Sequence, residues 1–129
     1  MNFVNGGAVA SESAEAAEAA MTILNKGGNA IDAAVATVAA QGVTRPFSGG
    51  IGGGGFMLIY LAKENRHIVL DHQAMTSSAF GPESFMNPET GELYPEVVRA
   101  SSGMSVAVPG AIKGWEQALE EFGTLTLAE

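Results

Sequence analysis

His67 and His72, with Asp71 between them, are the only histidines in the chain and the first residues to weigh for chemistry. A metal centre needs three or four convergent ligands, and no further acid stands at a spacing that completes one. Both histidines therefore read as strand-end or loop residues. Ser48, Ser77, Ser78, Ser101 and Ser102 are hydroxyl nucleophiles by type, but none lies in G-x-S-x-G or S-x-x-K and none has a base beside it. Gly50, Gly52 and Gly55 spell G-x-G-x-x-G. In a dinucleotide site that pattern follows a strand and opens a helix whose N-terminus faces the pyrophosphate. Here it follows a proline loop and opens an apolar run, and no G-K-[ST] follows, so the glycines read as letting one backbone pass close to another, or as taking up positive φ, at the mouth of a buried strand. Asp32 stands three residues after Asn29, the spacing of a capping box rather than of a catalytic acid. Trp115 falls on an apolar helical face and reads as core. Taken alone, these residues form no complete catalytic constellation.

The elements that position them follow from composition and period. The chain has 129 residues, 6 Lys+Arg against 14 Asp+Glu and a formal net charge of −8. That balance predicts no nucleic-acid footprint, which needs clustered cations. Apolar residues make up 47% and charged residues 16%, which argues against disorder. The absence of cysteine excludes disulfides and thiolate chemistry. The opening stretch from Met1 to Gly7 has neither a basic flank nor the apolar run of a signal peptide, and no run is long enough to span a membrane. The expectation is a soluble single domain over 1–129, of α+β class.

Gly7-Ala8-Val9-Ala10 suits a buried strand. Ser11 and Ser13 as two candidate N-caps, early glutamates and apolar residues at helical spacing predict a helix over 13–26, stopped at Gly27-Gly28. A second helix is predicted over 29–40, capped by Asn29 and Asp32 and ended by Gly42. It is so rich in alanine that it needs cover on most sides, and Ala34→Glu or Val35→Asp is expected to unfold the chain. Residues 56–62 read as a strand covered on both faces, joined by the polar turn 63–66 to a returning strand over 67–71. Residues 72–102 show no sustained period beyond a helical turn near Pro82 to Met86. A short strand over 104–108 and a helix over 111–122 follow, the latter with Ile112, Trp115, Ala118, Leu119 and Phe122 on one face and Gly123 as its cap. The tail 124–129 reads as the start of another helix.

Three ordered segments carry a resemblance. Gly27-Gly28-Asn29-Ala30-Ile31-Asp32-Ala33-Ala34-Val35-Ala36, then Gly50-Ile51-Gly52-Gly53-Gly54-Gly55-Phe56, then Val106-Ala107-Val108-Pro109-Gly110 resemble the γ-glutamyltransferase (γ-glutamyltranspeptidase) family. The stretch from Gly114 through Phe122-Gly123-Thr124-Leu125 is also similar. The resemblance runs from Gly7 onward and covers the N-terminal part of the family's large subunit. It implies a partial N-terminal-nucleophile-hydrolase αββα layered fold, with helices packed on a hairpin-containing sheet. It further implies a precursor that cuts itself into two subunits and exposes a threonine, which attacks the γ-glutamyl amide of glutathione or a related donor with its own α-amine as base. Water or an amino acid then takes the acyl group. No cofactor or metal is implied.

The resemblance also implies two departures. The nucleophilic threonine and its oxyanion-hole glycines belong to a small subunit that these residues do not include, so no catalytic residue is assigned here. In the family, the strand ending in Asp is followed one residue later by an Arg-Glu pair, and the arginine holds the donor's α-carboxylate. Here Gln73 occupies the arginine's place, as the candidate substrate-binding residue, and Ala74 the glutamate's. The expectation is a truncated or split large-subunit segment, inactive alone, whose partners are the threonine-bearing remainder and a γ-glutamyl small molecule, with homo-oligomerisation of the isolated chain. Family members are often periplasmic or extracellular, and the sequence itself assigns no compartment. The rival readings are a non-catalytic scaffold or binding module, and an acylase-like relative with altered donor specificity.

Overall fold

Ser13 sets the start of the first helix, its hydroxyl accepting from Ala16 N–H at 3.2 Å. A computed structural model describes residues 2–4 and 7–129. Of the opening stretch read for an export signal, Met1, Asn5 and Gly6 lie outside the described residues. Strand β1 (Asn2–Val4) pairs antiparallel with β2 (Gly7–Val9), and helix α1 (Ala14–Asn25) follows. Its end is a Schellman motif: Gly28 N–H donates to Ile23 O at 3.0 Å and Gly27 N–H to Leu24 O at 3.1 Å. Gly27, at φ +92°, takes the left-handed conformation that this stop requires. Only alanines of α1 are buried, Ala16, Ala17 and Ala20, and they let its backbone lie close against the next helix.

Helix α2 (Ala30–Thr44) begins with the predicted capping box. Asn29 Oδ1 accepts from Ile31 N–H at 2.7 Å and Asp32 N–H at 3.2 Å, and Asp32 Oδ2 accepts from Asn29 N–H at 2.6 Å. Gly42 does not end the helix. Its bare Cα faces Gly50, where an added Cβ would stand 3.3 Å from the Gly50 Cα. The stop comes at Arg45, whose backbone is forced out of the helical region by Pro46. Nor is α2 covered on most sides. Asp32, Ala33 and Val35 are buried between α1 and the last helix, whereas Val43 is 81% exposed.

Strands β3 (Phe56–Leu61) and β4 (Arg66–Asp71) form the predicted hairpin, with Met57 opposite Leu70 and Ile59 opposite Ile68. One face packs inward through Ile59 and Leu70; the other is bare, with Phe56 63% and Leu58 72% exposed. The expectation that both faces are covered is corrected: this antiparallel pair has one covered face. The segment after β4 contains the turn near Pro82, where Ser84 N–H donates to Gly81 O at 3.0 Å and Met86 N–H to Glu83 O at 2.9 Å. It also holds a helix absent from the sequence reading, α3 (Glu96–Ser101), whose six residues are too few to establish a period.

The strand predicted over 104–108 does not form. Gly103–Ser105 wind into a 3₁₀ turn, and only Val108 pairs, in an isolated bridge with Met75. Helix α4 (Ala111–Phe122) closes the core. Trp115, Leu119 and Ala111 pack on Val35 with Val38 and Met57 at the margin, so Trp115 is a core residue as expected. The buried face is Ala111, Gly114, Trp115, Ala118 and Leu119; Ile112, expected on it, is 42% exposed. After Gly123 the tail forms no helix among the described residues, only a turn in which Glu129 N–H donates to Thr126 O at 3.2 Å and Thr126 N–H donates to the Glu129 carboxylate at 3.0 Å.

Candidate functional site

The end of β4 is where the chain's chemistry-bearing residues and its glycines meet. The hairpin ladder continues one step past the strands: His72 N–H donates to Gly55 O at 3.0 Å and Gly55 N–H to His72 O at 3.4 Å. The chain then turns, held by Asp71 Oδ1, which accepts from Gln73 N–H at 3.0 Å. Two residues on, Met75 N–H donates to Val108 O at 3.0 Å and Val108 N–H to Met75 O at 2.8 Å. Helix α4 starts at the same place. Gly110 has no side chain to cap it, and the Gly53 carbonyl accepts from both Gly110 N–H and Ala111 N–H at 3.0 Å.

Three segments, 53–55, 71–75 and 108–114, thus interlock, and glycine makes the interlock feasible. A Cβ on Gly54 would overlap the backbone of residues 72–74, and one on Gly110 would overlap the His72 carbonyl. A Cβ on Gly114 would overlap the Cβ and ring of His72. Of the G-x-G-x-x-G glycines, Gly50 has φ +157° and Gly55 lies against the His72 ring, whereas a Cβ on Gly52 would meet nothing; the glycine that backbone packing demands is Gly54, which lies between them. Gly55 leads into a strand, and the helix N-terminus nearby already faces a carbonyl oxygen where a phosphate would have to sit.

His72 lines a cleft of about 370 Å³ between α2, the glycine loop, β3 and α4, with Gln41, Met57 and Trp115 among its walls. Its Nδ1 is buried and has no hydrogen-bond partner. Gln73, the residue singled out from the sequence, is exposed beside this cleft, and its side chain makes no hydrogen bond among the described residues. His67 is not brought to the site. It sits near the opposite end of β4, stacked on Tyr60 with ring centroids 4.7 Å apart. The candidate serines stay apart from any base: Ser77 Oγ accepts from Ala79 N–H at 3.3 Å, Ser101 Oγ donates to Val97 O, and Ser102 Oγ is buried and unpaired. Among the described residues no group of three or more His, Asp or Glu side chains could hold a metal ion.

Asp32 does more than its spacing suggested. Besides capping α2, its carboxylate accepts from Thr124 N–H at 2.9 Å, Thr124 Oγ1–H at 2.7 Å and Leu125 N–H at 3.2 Å. Asn29 Nδ2 donates to Phe122 O at 2.7 Å. One motif therefore starts α2 and fastens the end of α4 to it. Burial pushes the Asp32 carboxyl up, but hydrogen bonds from the Thr124 hydroxyl and from the N–H groups of Asn29, Thr124 and Leu125 outweigh it and hold the group below its usual range. Thr124 carries no local signal of this role. The pair Gly110 and Gly114, one helical turn apart on the buried face, is the signal that could have revealed the close approach of His72.

The Gamma-glutamyltranspeptidase family model matches residues 16–129. A glutathione hydrolase proenzyme from Bacillus subtilis subsp. natto is 42% identical over 121 residues, 94% of this chain and 20% of the relative. An acylase ACY 1 proenzyme from Pseudomonas sp. (strain SE83) is 43% identical over 118 residues, 88% of this chain and 21% of the relative. The solved gamma-glutamyltranspeptidase from Pseudomonas nitroreducens, complexed with L-DON, superposes with a TM-score of 0.82 at 38% identity, covering 95% of this chain and 36% of that one. The chain thus spans about a fifth of the length of the curated relatives it matches.

Proposed function

Because this chain belongs to the γ-glutamyltranspeptidase family, we propose that it is the N-terminal large-subunit segment of an enzyme that cleaves or transfers γ-glutamyl amides. The observation that carries this reading is the interlock at the end of β4. It gathers the family-like segments at 50–56 and 106–110 around residues 71–75, where the family places its carboxylate-binding arginine. In this reading residues 1–129 are one unit of an αββα layered body, with the β3–β4 hairpin inside it. The nucleophilic threonine and the groups that stabilise its oxyanion come from residues outside these 129. The threonine, deprotonated by its own α-amine, attacks the γ-carbonyl; the amine leaves, and water or an amino acid releases the acyl group. Position 73 faces the donor's α-carboxylate.

Gln73 favours a second, related reading, an acylase-like enzyme with altered donor specificity, and the similarity to acylase ACY 1 supports it. An arginine grips a carboxylate through two parallel charge-assisted bonds, whereas glutamine offers a neutral amide. Hydrogen bonds to charged groups are worth about 1.5–3 kcal/mol, so the loss corresponds to roughly ten- to a hundredfold in donor recognition. An enzyme built on this chain therefore handles free γ-glutamyl carboxylates poorly and accepts acyl amides that lack that group.

The two readings separate in a chimera in which this chain replaces the matched segment of the Bacillus subtilis subsp. natto relative. Gln73→Arg with Ala74→Glu should raise kcat/KM for γ-glutamyl-p-nitroanilide by about tenfold or more, and leave 4-aminobutyryl-p-nitroanilide, the same donor without its carboxylate, nearly unchanged. An equal response of both substrates would mean that position 73 does not face the carboxylate.

A further inference from the structure

We propose that His72 is the positioning residue that fixes the direction in which the side chain at position 73 leaves β4, and so sets donor selectivity; the inference rests on the reading of position 73 above. The imidazole makes no use of its own polarity at Nδ1, which is buried with no partner. What it contributes is shape. Its ring and Cβ lie against the bare Cα of Gly114 on one side, and its Cε1 would stand 3.3 Å from a Cβ at Gly55 on the other. A flat ring is thus wedged between the backbone of α4 and the mouth of β3.

The peptide that follows is pinned in the same manner. The His72 carbonyl sits against Gly54 and Gly110, while the Gln73 N–H is held by Asp71 Oδ1 at 3.0 Å. Beyond it, Met75 is tied to Val108 by two hydrogen bonds. The backbone is therefore fixed on both sides of Gln73, whose side chain is exposed. A side chain at position 73 that no longer points at the donor carboxylate forfeits binding made equally in the ground and transition states, so the loss falls on KM rather than on kcat. Removing the ring leaves a void between Gly55 and Gly114 and releases the peptide that aims residue 73.

The test uses the chimera carrying Gln73→Arg, in which the grip on the carboxylate is strongest. His72→Ala should raise KM for γ-glutamyl-p-nitroanilide by roughly tenfold or more, with kcat within about twofold and 4-aminobutyryl-p-nitroanilide turnover unchanged. His72→Phe, which keeps a flat ring of similar width, should preserve the parent KM. Equal losses on both substrates, no loss on either, or a Phe variant as impaired as Ala would overturn the proposal. A readout independent of activity comes from the 129-residue chain itself, through the backbone ¹⁵N heteronuclear NOE of residue 73. That value should stay at the level of β4 in His72→Phe and fall to the level of a mobile loop in His72→Ala; equal values in the two variants overturn the proposal. If the NOE behaves as expected while Gln73→Arg fails to separate the two substrates, the reading of position 73 has failed and the role of His72 in aiming it has not.

Discussion

At the scale of single residues, Asp32 carries the heaviest burden. Asp32, 3% exposed, accepts through its carboxylate from three residues in two segments, Asn29 before α2 and Thr124 and Leu125 after α4, which makes it worth more than a helix cap alone. Asp32→Ala should destabilise the chain by about 2–4 kcal/mol, since it strips charged hydrogen bonds from buried donors. Its pH dependence follows from its lowered carboxyl pKa. In the unfolded chain the group titrates in the ordinary aspartate range. Stability from Asp32 is fully present above that range and is lost as pH falls through the lower folded one. Urea melts between neutral and acid pH should show this loss in the parent and a flatter acid limb in Asp32→Asn. The capping role was legible because Asn29 and Asp32 lie three apart in one helix. The tie to Thr124 was not, because the partners are separated by 92 residues and neither type announces the other.

At the scale of elements, boundaries were legible where the stop is local and illegible where it is tertiary. Helix α1 starts at Ser13 and ends at Gly27 by rules that its own residues satisfy. Helix α2 overruns Gly42 because that glycine serves contact with Gly50, information held by another segment. The run 104–108 has strand-like residues but finds only Met75 to pair with, so propensity goes unrewarded. The same view of α2 separates two substitutions that the sequence alone ranked together. Val35 is buried against Ala111, Trp115 and Leu119, so Val35→Asp should cost about 3–5 kcal/mol. Ala34 is half-buried on a cleft wall where a longer side chain can reach water, so Ala34→Glu should cost about 1 kcal/mol or less in the 129-residue chain. Thermal melts of the two variants side by side check the difference. Gly123→Ala should resemble Val35→Asp more than Ala34→Glu, because its Cβ would stand 2.7 Å from Asp32 Oδ1 and 2.8 Å from Leu119 O.

At the scale of the whole molecule, the bare hairpin face is the dominant feature. Phe56, Leu58, Tyr60 and Val69 share it, and Phe47 and Ile51 are exposed in the loop before β3. A contiguous apolar surface of this kind drives association. The isolated chain should therefore sediment as a concentration-dependent oligomer, and a monodisperse monomer at high concentration would contradict this. The sequence reading expected cover on both faces of residues 56–62 from their apolar character alone. That inference is sound about what the residues require and silent about which chain supplies the cover. On the proposed reading these residues belong to the large subunit of a self-processing amide hydrolase. The most direct measurement is made on the chimera with the Bacillus subtilis subsp. natto relative, followed by gel analysis of precursor cleavage and by amide hydrolysis. The account predicts a precursor that cuts itself into two subunits and then releases p-nitroaniline from an acyl anilide, with 4-aminobutyryl-p-nitroanilide at least matching the γ-glutamyl compound. A folded chimera that neither cuts itself nor hydrolyses either anilide would contradict it.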